Sequence, residues 1–258
     1  MKNTKLKLFF FLFLLIIIII LANQKTTRYM GINYKVYEYQ IPIYLKILDF
    51  YDRHYNYKFL VNKINRKLDN DEDIVINISK WIKKNIKKIP KGVDIIDNHP
   101  LTIVERRLGT DDQFSDILSV LLVYSNIDSF FISEFNQIWH PLTFFKINKI
   151  WSVIDPYYGI IFINNKNSIA SIKDLKDGNW EISNLKFEKI NNSNFNLVFE
   201  KKFENFDEVK KHYNKIFFTI KSETEINNTN VYFRGGRSYM QKPLSRLKYE
   251  IYNLIKKN

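Results

Sequence analysis

Arg107-Leu108-Gly109-Thr110-Asp111-Asp112-Gln113-Phe114-Ser115-Asp116 is the stretch whose reading decides the fold. Gly109 permits a sharp change of backbone direction, and Thr110 and the aspartates suit a helix N-terminus. Downstream, Phe114, Ile117, Leu118, Leu121 and Leu122 recur at helical spacing. A helix from about Asp112 to Tyr124 that is apolar nearly all round belongs at the centre of a core. If such a helix begins with acids, its N-terminus, the positive end of the helix dipole, opens on a cleft. Taken alone, the ten residues also describe an ordinary helix start.

The sequence that follows changes period. Beyond Asn126-Ile127-Asp128 come four strand-like runs: Ser129 to Phe135, Trp139 to Ile147, Ile150 to Ile154 ending at Asp155-Pro156, and Tyr158 to Ile163. A buried helix followed by antiparallel strands on short turns is an α+β arrangement. Upstream, Ile41 to Leu68 reads as a helix with Pro42 in its first turn. Its broad face is Tyr44, Leu45, Ile47, Leu48 and Tyr51, continued by Tyr55, Phe59, Leu60 and Ile64. A second helix from about Glu72 to Lys88 uses Ile74, Ile78, Trp81, Ile82 and Ile86, with lysines opposite. Both are expected to be scaffold, and the first also offers an aromatic partner surface. In the last third, Leu185, Phe187, Phe195, Leu197 and Phe199 alternate like strands. Phe206, Val209, Tyr213 and Ile216 have helical spacing, Arg234-Gly235-Gly236-Arg237 is a turn, and Pro243 to Lys257 is an amphipathic helix.

At the N-terminus, Lys2, Lys5 and Lys7 precede Leu8 to Ala22, fifteen apolar residues without charge. A helix over Leu6 to Ala22 would be about 25 Å long, near the thickness of a hydrocarbon core. It reads as a signal anchor or a signal peptide. Either keeps the basic N-terminus cytoplasmic and exports the rest, so a single-pass membrane location through residues 6–22 is expected. The expected organisation is 1–22 membrane segment, 23–40 linker, 41–165 helical lead-in and core, and 166–258 α+β extension.

The 258 residues carry a formal charge of +13, 45% hydrophobic and 16% aromatic residues, and no cysteine. The hydrophobic content supports a real core. The lysines are spread along the chain, and no RNP-like, zinc-finger or helix-turn-helix signature accompanies them, so no nucleic-acid partner is expected. The lack of cysteine excludes disulfides, thiolate metal sites and a cysteine nucleophile.

Three positions stand out together: Asp111 at the helix start, His140 at the head of one strand, and Asp155 at the end of the next. A helix N-terminus facing a His held by an Asp is the arrangement of nucleophile, base and orienter. Gly109-Thr110-Asp111-Asp112-Gln113-Phe114-Ser115, Trp139-His140-Pro141 and Trp151-Ser152-Val153-Ile154-Asp155-Pro156 resemble, in order and spacing, the transglutaminase-like superfamily. There a Gly-x-Cys segment opens a buried helix, a strand bears His, and a Trp-containing strand ends in Asp-Pro. The likeness covers about residues 72 to 160. It implies a papain-like fold, with His140 and Asp155 in the places of the family's base and orienter.

Asp111 stands where the family has cysteine, so the resemblance does not imply its acyl-transfer activity. The expectation is a non-catalytic member whose cleft binds a peptide, protein or envelope polymer, or acts as scaffold. The alternative is a hydrolase of altered chemistry. Two carboxylates and an imidazole are suitable metal ligands, but no metal or cofactor is expected. Glu105, Asp112 and Asp116 read as caps or solvated acids and His99 as a surface residue. Ser115, one turn along, is displaced from the nucleophile position.

Overall fold

In the computed structural model, the described residues are 2–32, 35–66, 68–90, 92–93, 99–200 and 202–228. The turn expected at 234–237 and the helix expected over 243–257 lie outside them.

The apolar N-terminal run forms α1 (Lys2–Ala22). Its window Lys5–Ala22 is long and apolar enough to cross a membrane, and none of it is buried. The stretch expected to be a linker is instead a hairpin of β1 (Lys25–Ile32) and β2 (Lys35–Pro42), in register from Lys25 opposite Pro42 to Ile32 opposite Lys35. The signal lay in the alternation of β-favouring residues such as Val36, Tyr37 and Tyr39 with polar ones. Helix α2 (Ile43–Ile64) follows, then α3 (Asp71–Asn85). The Asn70 side chain caps α3 by accepting from the Glu72 amide (3.1 Å), and acids fill its first turn and lysines its last, as the helix dipole favours.

After α3, β3 (Lys87–Lys88) pairs in parallel with β4 (Leu108–Gly109), on either side of α4 (Pro100–Arg106). No period announces α4, but His99 caps it by accepting from the Leu101 amide (3.3 Å), and Pro100 occupies its first turn. The expected central helix is α5 (Asp111–Tyr124), whose residues from Gln113 to Val123 are buried except Asp116.

Strands β5 (Ser129–Phe135), β6 (Ile138–Ile147), β7 (Ile150–Asp155) and β8 (Ile160–Ile163) form an antiparallel meander. After α6 (Ile172–Lys176), β9 (Glu181–Asn184) completes a five-stranded sheet in the order β5-β6-β7-β8-β9. Then come α7 (Phe195–Phe199), α8 (Phe206–Thr219) and α9 (Glu223–Asn228).

The sheet is covered on both faces. Phe145, Ile154 and Ile161 pack with Ile117, Leu118 and Leu121 of α5 and Ile78 and Ile82 of α3. Phe144, Val153 and Phe162, each the neighbour of one of those residues, pack with Val209, Tyr213, Ile216 and Phe217 of α8. Successive strand side chains point to opposite faces, so a sheet buried on both reads as runs of apolar residues rather than clean alternation.

The strand expected over Phe195–Phe199 is a helix. Phe195 and Phe199, four apart, are buried on one side, and Leu197 between them is 85% exposed. An i, i+2, i+4 apolar pattern fits either period, and five residues are too few to separate them.

Candidate functional site

The decisive stretch is held more tightly than its sequence suggests. Its left-handed residue is Arg107 (φ 58°), not Gly109. Gly109 is required for space: a Cβ there would lie 3.3 Å from the Phe114 ring and 3.4 Å from Ile86. The Arg106 guanidinium donates to the Leu108 carbonyl (2.8 Å) and to the Gln113 side-chain oxygen (2.7 Å). Gln113 in turn accepts from the Thr110 amide (3.1 Å), half of a capping box. The Thr110 hydroxyl donates to the Asp112 carboxylate. Gln113 and Ser115 are buried. The Ser115 hydroxyl has no hydrogen-bond partner among the described residues and points into the core, so Ser115 does not stand in for a nucleophile.

Asp111 is half-buried at the head of α5. One of its oxygens accepts from the Asp112 amide (2.9 Å), and the other accepts from the Trp139 indole (3.0 Å). Burial pushes its pKa above the usual carboxylate range. The neighbouring Asp112 charge adds to this, while the two hydrogen bonds oppose it.

His140, one residue beyond Trp139, is buried. Its Nε2 lies 2.7 Å from an Asp155 oxygen and 3.2 Å from the Tyr213 hydroxyl, which donates to the same Asp155 oxygen at 2.7 Å. The Tyr158 amide donates to the other Asp155 oxygen (3.1 Å), and the Gly159 amide donates to the Asp155 carbonyl (3.0 Å). Burial alone would raise the Asp155 pKa. The His140 hydrogen bond and charge, the Tyr158 amide and the Tyr213 hydroxyl outweigh it and hold the carboxyl below its ordinary range. An ionised Asp155 beside a Tyr hydroxyl that already donates to it requires the His140 Nε2 to carry a proton.

The remaining nitrogen of His140 is also taken. His140 Nδ1 lies 3.0 Å from Nε2 of His212, on α8. Whichever ring supplies the shared proton, Nδ1 is engaged within the protein. Burial, then the repulsion of His140 and Lys202, lowers the His212 pKa to about 4, so His212 is neutral at pH 7. The arrangement is therefore a chain, His212–His140–Asp155, with Tyr213 closing its inner end.

Of the three residues singled out in the sequence, His140 and Asp155 are in direct contact. Asp111 makes no hydrogen bond to the pair among the described residues, where its bonds go to the Trp139 indole and the Asp112 amide, but Lys202 and Tyr158 feel the charges of both Asp111 and Asp155. His99 lies elsewhere, with its Nε2 3.3 Å from Arg53. Glu105 is exposed, and Asp112 and Asp116 are half-buried on α5. Among the described residues no group of three His, Cys, Asp or Glu is placed to hold a metal ion. Two cavities, of about 670 and 320 Å³, lie beside α8 and are lined by other residues, Phe218 and Lys215 in one and Phe135 and Ile226 in the other.

His212 and Tyr213 were not singled out in the sequence. Tyr213 sat in the expected apolar stripe of α8, and a fully buried tyrosine hydroxyl needs a polar partner. That need, with a histidine beside it, was the available signal. The mouth of the site is aromatic and basic. Trp139 is 54% exposed, and Lys88 lies over the rings of Tyr157 (4.4 Å) and Tyr158 (4.9 Å).

No family model matches the chain, and no curated protein matches it significantly. Solved structures distantly similar to it include a candidate cysteine protease from Cytophaga hutchinsonii, 19% identical over 39% of this chain and 36% of that one, with a TM-score of 0.34. A candidate protease from Parabacteroides distasonis is 13% identical over 66% of this chain and 40% of that one, with a TM-score of 0.33. The chain spans well under half the length of either.

Proposed function

We propose that this is a membrane-anchored, exported protein whose transglutaminase-like core lacks thiol acyl-transfer chemistry and serves as a binding or scaffolding domain for a peptide or envelope polymer. One observation carries the reading: both ring nitrogens of His140 are spent on protein partners, Asp155 and His212, while the helix-start position is an aspartate tied to Trp139. A general base needs a lone pair within reach of the proton it removes, and in this geometry His140 offers none. A carboxylate at position 111 is also a poor nucleophile toward an amide. The apolar helix α1 supports the membrane assignment, and its three N-terminal lysines support a cytoplasmic N-terminus.

The test is Asp111→Cys, alone and combined with His212→Ala. The single variant should react with an iodoacetamide probe no faster than a cysteine placed at the exposed Leu197, because no free imidazole nitrogen activates it. Removing His212 frees Nδ1 of His140 and should speed labelling. Rapid labelling of Asp111→Cys that is slowed by adding His140→Ala would overturn the blocked-base reading, since the helix N-terminus alone can activate a thiol.

The hydrolase alternative draws on the raised pKa of Asp111, a property of general acids. Peptidase or polymer hydrolysis by the unaltered protein, abolished by both Asp111→Asn and His140→Ala, would establish it in place of the binding role.

A further inference from the structure

Helix α2 is apolar on two sides. Phe50, Tyr57 and Val61 face inward and are buried. On the opposite side, Tyr44, Leu48, Tyr51, Tyr55 and Phe59 are 40%, 57%, 45%, 61% and 70% exposed. With about 100° of turn per residue, these five fall within an arc of roughly 80°, and the stripe they form is about 22 Å long. A contiguous apolar stripe of this kind on a folded protein marks an interaction surface.

The chain itself indicates what covers it. The hairpin β1–β2 leaves the end of α1 and returns to it, with Lys25 paired to Pro42, and the Ile43 amide that opens α2 donates to the Gln24 carbonyl (2.9 Å) just beyond α1. Helix α2 therefore starts where the candidate membrane span ends. If α1 crosses a bilayer, the first turns of α2 stand at its surface.

The composition of the stripe fits that depth. Tyrosine places an apolar ring and a polar hydroxyl where hydrocarbon meets headgroups, and three of the five residues are tyrosines. Exposed Lys58 and Asp52 flank the stripe on its two sides and balance each other, and the net charge of +13 favours an anionic surface.

We propose that the Tyr44–Phe59 stripe of α2 lies in the interfacial layer of the membrane that α1 spans, so that the domain rests against the lipid surface. This rests on the membrane reading of α1 given above.

The chain has no cysteine, so single cysteines can be labelled cleanly in the full-length protein. An environment-sensitive fluorophore would be placed at Leu48, Tyr55 or Phe59, at Ile16 inside α1, and at Leu197 as an aqueous control. The protein would be reconstituted in phosphatidylcholine–phosphatidylglycerol vesicles, with either brominated lipid or aqueous iodide as quencher. Labels at 48, 55 and 59 should lose emission to brominated lipid, as the Ile16 label does, and resist iodide, whereas the Leu197 label should do the reverse. Iodide quenching at 48, 55 and 59 with lipid quenching retained at Ile16 would overturn the proposal and leave the span intact. Loss of lipid quenching at Ile16 would overturn both. Protection from both quenchers at 48, 55 and 59 would mean that protein covers the stripe, and would also overturn the proposal.

Discussion

At the scale of single residues, His212 governs the site. Its pKa is lowered to about 4 in the folded protein, by burial first and then by His140 and Lys202, whereas an unfolded histidine titrates near 6.5. Between those values the unfolded chain binds a proton that the folded chain refuses. Stability from this residue is thus fully present above about pH 6.5 and is lost as pH falls toward about 4. His212→Asn should flatten the dependence of the urea midpoint on pH across that window, and a variant with the same slope as the parent would contradict the assignment. Asp111, with a raised pKa, contributes with the opposite sign, and Asp155, with a lowered one, acts at still lower pH. The difference between parent and variant isolates His212. Tyr213→Phe should cost about 1–3 kcal/mol in chemical denaturation, because Asp155 would lose a donor in a buried site. Gly109→Ala should destabilise by about 1–3 kcal/mol, since the Phe114 ring and Ile86 must yield to the new methyl group.

At the scale of elements, the region from Asp111 to Ile163 was legible because its helix and strands are long and their apolar residues have a clear period. The contact of His140 with Asp155 was legible for the same reason: a strand start and a strand end, with their elements assigned, can be placed side by side. The misses share a cause. Five residues at Phe195–Phe199 satisfy both periods, and α4 shows no period but is set by its cap. Hairpin β1–β2 alternates clearly only over Tyr37-Glu38-Tyr39-Gln40-Ile41, a run too short to stand out. His212 carries no local pattern, since its meaning depends on α8 crossing the sheet opposite α5, a long-range fact. The helical reading of 195–199 makes a contrast that denaturation can measure. Phe199→Ala should cost about 3–5 kcal/mol as a buried ring is lost, while Leu197→Ala should stay within about 0.5 kcal/mol, as exposed positions do. Equal losses at both positions would contradict the one-sided burial.

At the scale of the whole molecule, the sheet joins two cores. The segment beyond residue 165 supplies β9, the whole of α8 and two members of the site cluster, His212 and Tyr213. A chain ending at 165 would bare Phe144, Val153 and Phe162 and leave Asp155 without its tyrosine donor. Such a truncation should lose the dispersed amide resonances of a folded protein and bind a hydrophobic dye. A well-dispersed spectrum from residues 41–165 would instead mean that this segment folds by itself.

Between Ile132 and Glu134 of β5 the pairing moves from Leu142 to Trp139 of β6, so two residues of β6, His140 and Pro141, stand against the single Ser133 of β5, which is one of the two outer strands of the sheet. A second chain seeking to extend the sheet along that margin would meet a strand that keeps one register against β6 only from Ser129 to Ile132, before the bulge of β6 and then the Glu134 carboxylate. Four residues are a short template for templated growth, and bulges with charge are how edge strands discourage it. The kink thus acts as a guard on the folded sheet. Evening the ladder by inserting one residue after Ser133, to match the extra residue of β6, should make the protein associate edge to edge and precipitate with time.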